Sequence, residues 1–298
     1  MRLFQALFIA IICLTMPLIA HAEKVTISSW NMEWLTVNSN HNVDEGKRNT
    51  QDFSTLSSYF TKLNADVIAL QEIDSIEAIE QVSTSAYSIV LSDRSLPQYR
   101  NHQFSDINQY TGFAIGKNVP FADAKDIDLY GKKNHKLRFA SYVILYPDSA
   151  TPVHTLSLHL KAGCSGKFYS HKENCQTLLT QGKNLNRWIK QRERLGQEYV
   201  IAGDFNHNLS FKGDWLWNTV TLGLKQTPEL ATKNTQARCK VQKRNGAKQL
   251  HRFRSVIDHM IVSPKLNASN AQQVVYKEQD ALNYQLSDHC PVVSWFNW

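Results

Sequence analysis

Six short stretches of this chain carry acids, amides and histidines in a pattern that could do chemistry. They are Asn31 in Ser-Trp-Asn-Met-Glu-Trp, Glu72 in Leu-Gln-Glu-Ile, His159 in Ser-Leu-His-Leu-Lys, Asp204 and Asn206 in Gly-Asp-Phe-Asn, Asp258 in Ile-Asp-His-Met, and Asp288 and His289 in Ser-Asp-His. Asn31, Glu72 and Asp288 offer hard oxygen ligands of the kind that Mg²⁺ or Mn²⁺ takes. Such an ion would polarise a phosphoryl oxygen and offset charge on the leaving oxygen. Asp204 and Asn206 stand two apart, so in an extended segment they point the same way. The acid could then take a proton from a water that the amide orients. Asp258 and His289 form a carboxylate–imidazole candidate. A carboxylate fixes the ring's tautomer and raises its pKa, and an imidazolium beside a phosphate steadies developing negative charge. His159 would sit on the other side of the same phosphate. Taken singly, Glu72 reads as a solvent-facing residue after a strand, Gly-Asp-Phe-Asn as an Asx turn, and His159 as structural. Together and in this order they describe metal-assisted cleavage of a phosphodiester. His259, beside Asp258, should face the other way and reads as structural.

These residues need strands to present them. Residues 25–30 read as a strand ending at Asn31, and residues 65–70 as a short buried strand delivering Glu72. Further strands are expected over 111–115, 139–146, 153–160, 199–202, 256–262 and 292–296. Over 153–160, Leu156, Leu158 and Leu160 alternate with Thr155, Ser157 and His159, so His159 points away from the leucine face. Phe53, Leu56, Phe60 and Leu63 predict a helix over 51–63, and Leu178, Leu185, Trp188, Ile189 and Arg192 another over 173–195. Gly203 stops a buried strand and leaves Asp204 at its end. Polar groups just past strand ends, on neighbouring loops of one sheet edge, are how α/β enzymes usually build sites. No repeat, low-complexity tract or linker divides the chain, and the motifs run from Asn31 to His289, which argues for one domain over 23–298.

The first residues are a separate object. Arg2, an apolar run from Leu7 to Ala20 and the ending Ala20-His21-Ala22 predict a signal peptide over 1–22, cut after Ala22. The run is short for a spanning helix, and no later segment is long and apolar enough for one. The expected product is periplasmic or secreted, a monomer without a membrane anchor. Export leaves Cys164, Cys175, Cys239 and Cys290 in an oxidising compartment. Of three possible pairings we favour Cys164–Cys175, which closes a short loop, and Cys239–Cys290, which ties a basic loop to the Asp288-His289 segment. A zinc site lacks the needed spacing. The net charge is +7 for all 298 residues and +6 without the leader. Seven Lys or Arg fall between Arg238 and Arg254, among them Arg244, Arg252 and Arg254, and no acid lies between Glu229 and Asp258. As a charge run alone this is a solvated loop. Feeding directly into Asp258, it suits a polyanionic substrate.

The motif set resembles the endonuclease/exonuclease/phosphatase superfamily, which includes DNase I-like nucleases, apurinic endonucleases, sphingomyelinases and inositol-polyphosphate phosphatases. The resemblance covers essentially all of residues 23–298 and is similar to that of secreted bacterial members. It implies an α/β fold, a four-layer α/β/β/α sandwich of two packed mixed β-sheets. It places Asn31 and Glu72 at a Mg²⁺ or Mn²⁺ site. By the same likeness His159 matches the first active-site histidine, Asp204 and Asn206 the pair that activates the nucleophile, Asp258 the acid orienting a histidine, and Asp288-His289 the terminal pair. Tyr110 resembles a phosphate-contacting tyrosine, and Lys161 reads either as a surface lysine or as a phosphate contact. The nuclease branch often places a glutamate near Tyr110 to pair with the first histidine. This chain has Asn108 and Gln109 there, which leaves the partner of His159 open. The reading is a secreted, metal-dependent nuclease acting on DNA, with RNA as the second candidate. The alternatives are a phosphodiesterase or phosphatase for lipid or small esters, which at a membrane would need an exposed aromatic hairpin, and a non-catalytic binding module, against which the complete set of acids and histidines argues.

Overall fold

The short apolar runs pair into two sheets that share a core. The computed structural model describes residues 24–38, 40–243 and 249–297, so the expected leader and Arg244 lie outside the described residues. Along the chain run β1 (Lys24–Leu35), α1 (Thr50–Leu63), β2 (Val67–Ile73), α2 (Ile76–Glu80), β3 (Tyr87–Leu91), β4 (Tyr110–Gly116), β5 (Phe121–Ile127), β6 (Ala140–Leu145) and β7 (Val153–His159). Then come α3 (Glu173–Leu195), β8 (Glu198–Asp204), α4 (Trp215–Thr221), β9 (Glu229–Leu230), β10 (Lys240–Gln242), β11 (Leu250–Arg252), β12 (Asp258–Val262), β13 (Gln272–Gln273), α5 (Glu278–Asn283) and β14 (Val292–Asn297). One six-stranded sheet has the order β13-β14-β1-β2-β4-β3 and the other β5-β6-β7-β8-β12-β9, with β10 and β11 forming a separate hairpin. Pairs β1/β2 and β7/β8 are parallel and the other pairs antiparallel, so both sheets are mixed.

Alternation along each strand sorts its side chains into layers. Ile68 and Leu70 of β2 face Leu56, Tyr59 and Phe60 of α1, while Val67 and Ala69 face the opposite sheet. Val200 and Ala202 of β8 meet them there, and Tyr199 and Ile201 pack outward against Leu185, Trp188 and Ile189 of α3. The result is helix, sheet, sheet, helix, the expected four-layer sandwich. Each fully buried aliphatic or aromatic side chain in these layers contributes roughly 1.5–3 kcal/mol by leaving water. The caps agree with the packing. Asn49 and Asp52 close a capping box at the start of α1, and Gly196 ends α3 in the left-handed region.

Where the two sheets approach the site, the seam between them turns polar. Ser29 donates to Gln71, Gln71 donates to Ser157, and Ser157 donates to the carbonyl of Leu70, all buried. Thr111 and Ser141 share a hydrogen bond across the same seam. His159 follows Thr155 and Ser157 on this inner face, as its alternation requires. Both expected disulfides are present, Cys164–Cys175 and Cys239–Cys290. In the chain-entropy picture the second closes the longer loop and contributes about 4 kcal/mol.

Candidate active site

Strand direction brings the six motifs to one end of the sandwich. β1 and β2 run parallel, so Asn31 and Glu72 emerge on the same edge. β7 and β8 run parallel, with His159 opposite Asp204. β12 runs against β8, so its first residue, Asp258, sits opposite Asp204. β14 runs against β1, which puts the Asp288-His289 loop beside Asn31, and β4 runs against β2, placing Tyr110 beside Ile73. The backbone at this edge is bent away from regular strand. Glu33, Trp34, Glu72 and Asn206 all have positive φ, between 47° and 59°, which costs a non-glycine residue roughly 1–2 kcal/mol. Gly203 makes the turn into Asp204 at φ 153°, where an added Cβ would lie 2.0 Å from the carbonyl oxygen of Leu158. No other residue fits there.

Asn31 stands between two acids. Its Nδ2 donates to Glu72 Oε1 at 3.2 Å and to Asp204 Oδ2 at 3.0 Å, and its Oδ1 accepts the Glu33 N–H at 3.0 Å. His159 Nε2 lies 3.7 Å from Glu72 Oε1 and 3.5 Å from Asp204 Oδ2. Burial holds the pKa of His159 well below the usual value, and Arg138, His289, Arg94 and Lys161 push it the same way. The ring is neutral, so it approaches these acids as a dipole, not as an ion-pair partner. Its Nδ1 is buried and has no hydrogen bond. Asn108 pairs with the backbone of Phe104 instead, so the missing glutamate leaves a bare ring nitrogen. Asn206 grips Asp204 twice, from its N–H to Oδ1 at 2.7 Å and from Nδ2 to Oδ2 at 3.3 Å. Burial pushes the pKa of Asp204 up to about 7, with Asp258 adding to the rise and His289, Asn206 and Asn31 opposing it.

His289 Nδ1 donates to Asp258 Oδ2 at 2.8 Å, and its Nε2 is 3.8 Å from Asp204 Oδ2 and 3.7 Å from Asp288 Oδ1. Burial alone would disfavour the imidazolium, but Asp258, Asp288 and Asp204 outweigh it and raise the pKa well above the usual value. The ring is held from behind. Its own carbonyl accepts from Tyr276 Oη at 2.5 Å and Trp30 Nε1 at 3.1 Å. Ser287 Oγ donates to the Asn31 carbonyl and accepts from the His289 N–H, while Glu33 accepts the Asp288 N–H at 2.8 Å. Arg48 then pins both sides, donating to the carbonyls of Met32, Glu33, Trp34, Gln285 and Leu286. His259 is structural as expected, between Thr232 and the Leu209 N–H, its pKa lowered by burial to about 3.

Arg138 is the site residue that the motifs did not reveal. It precedes β6, its Nη2 donates to the Leu160 carbonyl at 3.1 Å, and Glu72 and Asp204 act on its charge. Its signal was topological, since β6 runs against β7 and so begins at the site's edge. Tyr110 is buried under the guanidinium of Arg94, 4.8 Å from its ring centre. Lys161 is half-buried, its N–H held by Gln181. Arg252 and Arg254 are exposed on and just after the hairpin that the Cys239–Cys290 bond fastens beside His289.

The donors suit a hard cation. Glu72 and Asp204 both face one amide nitrogen, a single dipole between two negative groups. Asp204, Asp258 and His289 bring ligand-capable atoms within 4.8 Å of one another, the one such group found among the described residues. Because His289 is charged and engaged with Asp258, oxygen would be the binding atom here, as Mg²⁺ or Mn²⁺ prefers. A half-turn of the Asn31 amide would present Oδ1 in place of Nδ2.

The model of the endonuclease/exonuclease/phosphatase family matches residues 29–289. Among solved structures, truncated TDP2 of Caenorhabditis elegans superposes with a TM-score of 0.60 at 15% identity, covering 92% of this chain and 98% of that one. A mannosyl-6-phosphatase of Bacteroides thetaiotaomicron gives 0.61 at 13% identity, covering 92% and 100%. TDP2 of D. rerio, complexed with a single-strand DNA product, gives 0.56 at 16%, covering 92% and 99%. At such identities these likenesses speak for the fold alone. No curated protein matches the chain significantly. The family match begins two residues before Asn31 and ends on His289, the same span over which the two sheets build their common edge; the chain belongs to the endonuclease/exonuclease/phosphatase family and is a metal-dependent phosphoester hydrolase.

Proposed function

We propose that residues 23–298 form one exported nuclease domain that hydrolyses phosphodiester bonds of nucleic acid, with DNA as the first substrate to test. The observation that carries this reading is the cationic hairpin, free of acids from 230 to 257 and fastened by Cys239–Cys290 to the residue after His289. Its cations offer a polyanion a hold next to the reacting end. The D. rerio relative with a DNA product supports the same choice. The two disulfides and the expected leader support a site of action outside the cytoplasm, and among the described residues no helix is long and apolar enough to cross a membrane.

Glu72, with Asn31 and Asp288, would hold a divalent ion, which when bound would offset charge on the phosphoryl and leaving oxygens. Asp204, poised near neutrality, accepts the proton of the attacking water, and Asn206 sets that acid's orientation through both of its oxygens. His289, kept charged by Asp258, faces the phosphate and stabilises the negative charge that develops. Arg138 and the neutral His159 complete the lining, and Tyr110, Lys161, Arg244, Arg252 and Arg254 are assigned to substrate. The test is nicking of supercoiled plasmid by the mature protein with Mg²⁺, with EDTA, and by Asp204→Ala. Nicking that needs both the metal and Asp204 is the expected result; a folded, metal-loaded protein that leaves plasmid intact would move the assignment to small esters, as the mannosyl-6-phosphatase relative allows. A lipid substrate is disfavoured, because Trp215 and Trp217 pack inward. Trp215 stacks on Phe168 and His207 and donates to the Gly166 carbonyl, and Trp217 joins the core under α3.

A further inference from the structure

Phe253 stands out among the exposed apolar side chains because of its neighbours. Its ring is 42% exposed. It follows β11 directly, between Arg252 and Arg254, and His251 meets it edge to face at 4.9 Å and 89°. A lone exposed phenylalanine calls for no explanation, but here three further observations bear on it. The strand paired with β11 is anchored. Cys239 is bonded to Cys290, Val241 is buried in the core, and Lys240 pairs with Glu278 of α5 at 2.5 Å. Phe253 is also close to the chemistry, since five residues lead from it to Asp258 and can span at most ~17 Å. Finally, the segment has no acid, so its charge favours a ligand that carries negative groups around an apolar face.

We propose that Phe253, its plane set by His251 and flanked by Arg252 and Arg254, is a stacking platform for an unpaired base of a single-stranded nucleic acid. The proposal rests on the nuclease reading above and names the strand state of its substrate. An aromatic between two cations matches the alternation of base and phosphate along a strand. A single ring is too little apolar area to hold a membrane surface. Bases inside a duplex are stacked on each other and show only their edges in the grooves, so a ring face can be used only by a base that has left the stack. Sugar identity does not enter, and single-stranded DNA and RNA should both use the platform.

The experiment is steady-state cleavage by the mature enzyme of an end-labelled single-stranded oligonucleotide, of its blunt duplex, and of the single strand carrying abasic residues. Wild type is compared with Phe253→Ala, with Phe253→Leu, which keeps apolar bulk but has no ring face, and with Phe211→Ala, an exposed phenylalanine of the segment between β8 and α4. The expected result is a KM for the single strand raised about 5- to 150-fold in both Phe253 variants, the range of base–aromatic stacking. A smaller change is expected on the duplex, and none between wild type and variant on the abasic strand. Equal KM values for wild type and Phe253→Ala on the single strand would overturn the proposal. So would an equal rise on duplex and abasic strands, or a loss confined to Phe211→Ala. Failure of wild type to cleave any nucleic acid would instead remove the nuclease reading beneath it.

Discussion

The same strands build two ends of the space between the sheets, and the ends obey different rules. At the far end Val25, Ile27, Val67, Phe113, Ile115 and Val200 fill it with apolar contacts and regular backbone. At the site end the strands carry Glu72, Asp204 and Asp258 against His159, His289 and Arg138. Four residues there hold left-handed φ, and buried polar atoms of His159, Asp258 and Arg138 have no partner. Stability is gathered at one end and given up at the other, as an edge poised for charge stabilisation requires.

The sharpest break of that contrast is His289→Ala. Activity should fall by about 10³-fold or more while the thermal midpoint moves by only a few degrees; retained turnover would sink the role of the ring. Next is Phe113→Ala at the opposite end, expected to cost about 3–5 kcal/mol in denaturant unfolding yet leave the kcat of folded molecules close to wild type. A large loss of kcat there would mean that the two ends are not separable. Asp204→Asn should cut activity while removing from stability, measured in EDTA, the pH dependence that Asp204 supplies. The sign follows from the raised pKa of about 7. Between the unfolded carboxylate's pKa near 4 and about 7 the folded state binds the extra proton. The stability that this proton supplies is therefore complete below about pH 4 and lost as pH rises through about 7. Wild type should show that decline and Asp204→Asn should not. The smallest effect belongs to Arg252→Gln and Arg254→Gln, each expected to raise KM a few-fold and to reduce the slope of log KM against log salt by about one.

The sequence showed more of the site than of its supports. Acids and histidines in order are a strong signal, and period-two and helical spacing gave the main strands and both long helices close to their observed ends. The 3₁₀ turns, β3, β5 and the short helices were not read, because their patterns are half-exposed and too brief to carry a period. Other misses have a different cause. Arg138, Arg48, Glu33 and Ser287 act through partners far away in sequence, and nothing local marks an arginine whose five acceptors are carbonyls of residues 32–34 and 285–286. β1 continues past Asn31 to Leu35 because its bulge at Glu33 and Trp34 turns Glu33 toward the Asp288 N–H, an interaction visible only once both segments are in place.

β1 is hydrogen-bonded on one side to β2 and on the other to β14, so the first strand of the sheet waits for the last one. Loop closure over nearly the whole chain must precede that pairing, which predicts that it comes late in folding, a point that strand-resolved hydrogen exchange during refolding would check. A polypeptide that emerges with its N-terminus first carries Asn31, Glu72 and Asp204 long before Asp288 and His289 arrive to meet them. Until β14 docks and Arg48 finds the carbonyls of residues 285 and 286, there is no imidazolium to face a phosphate. A chain that lacks β14 should therefore leave its substrate uncut, and activity should appear only once that strand has docked on β1.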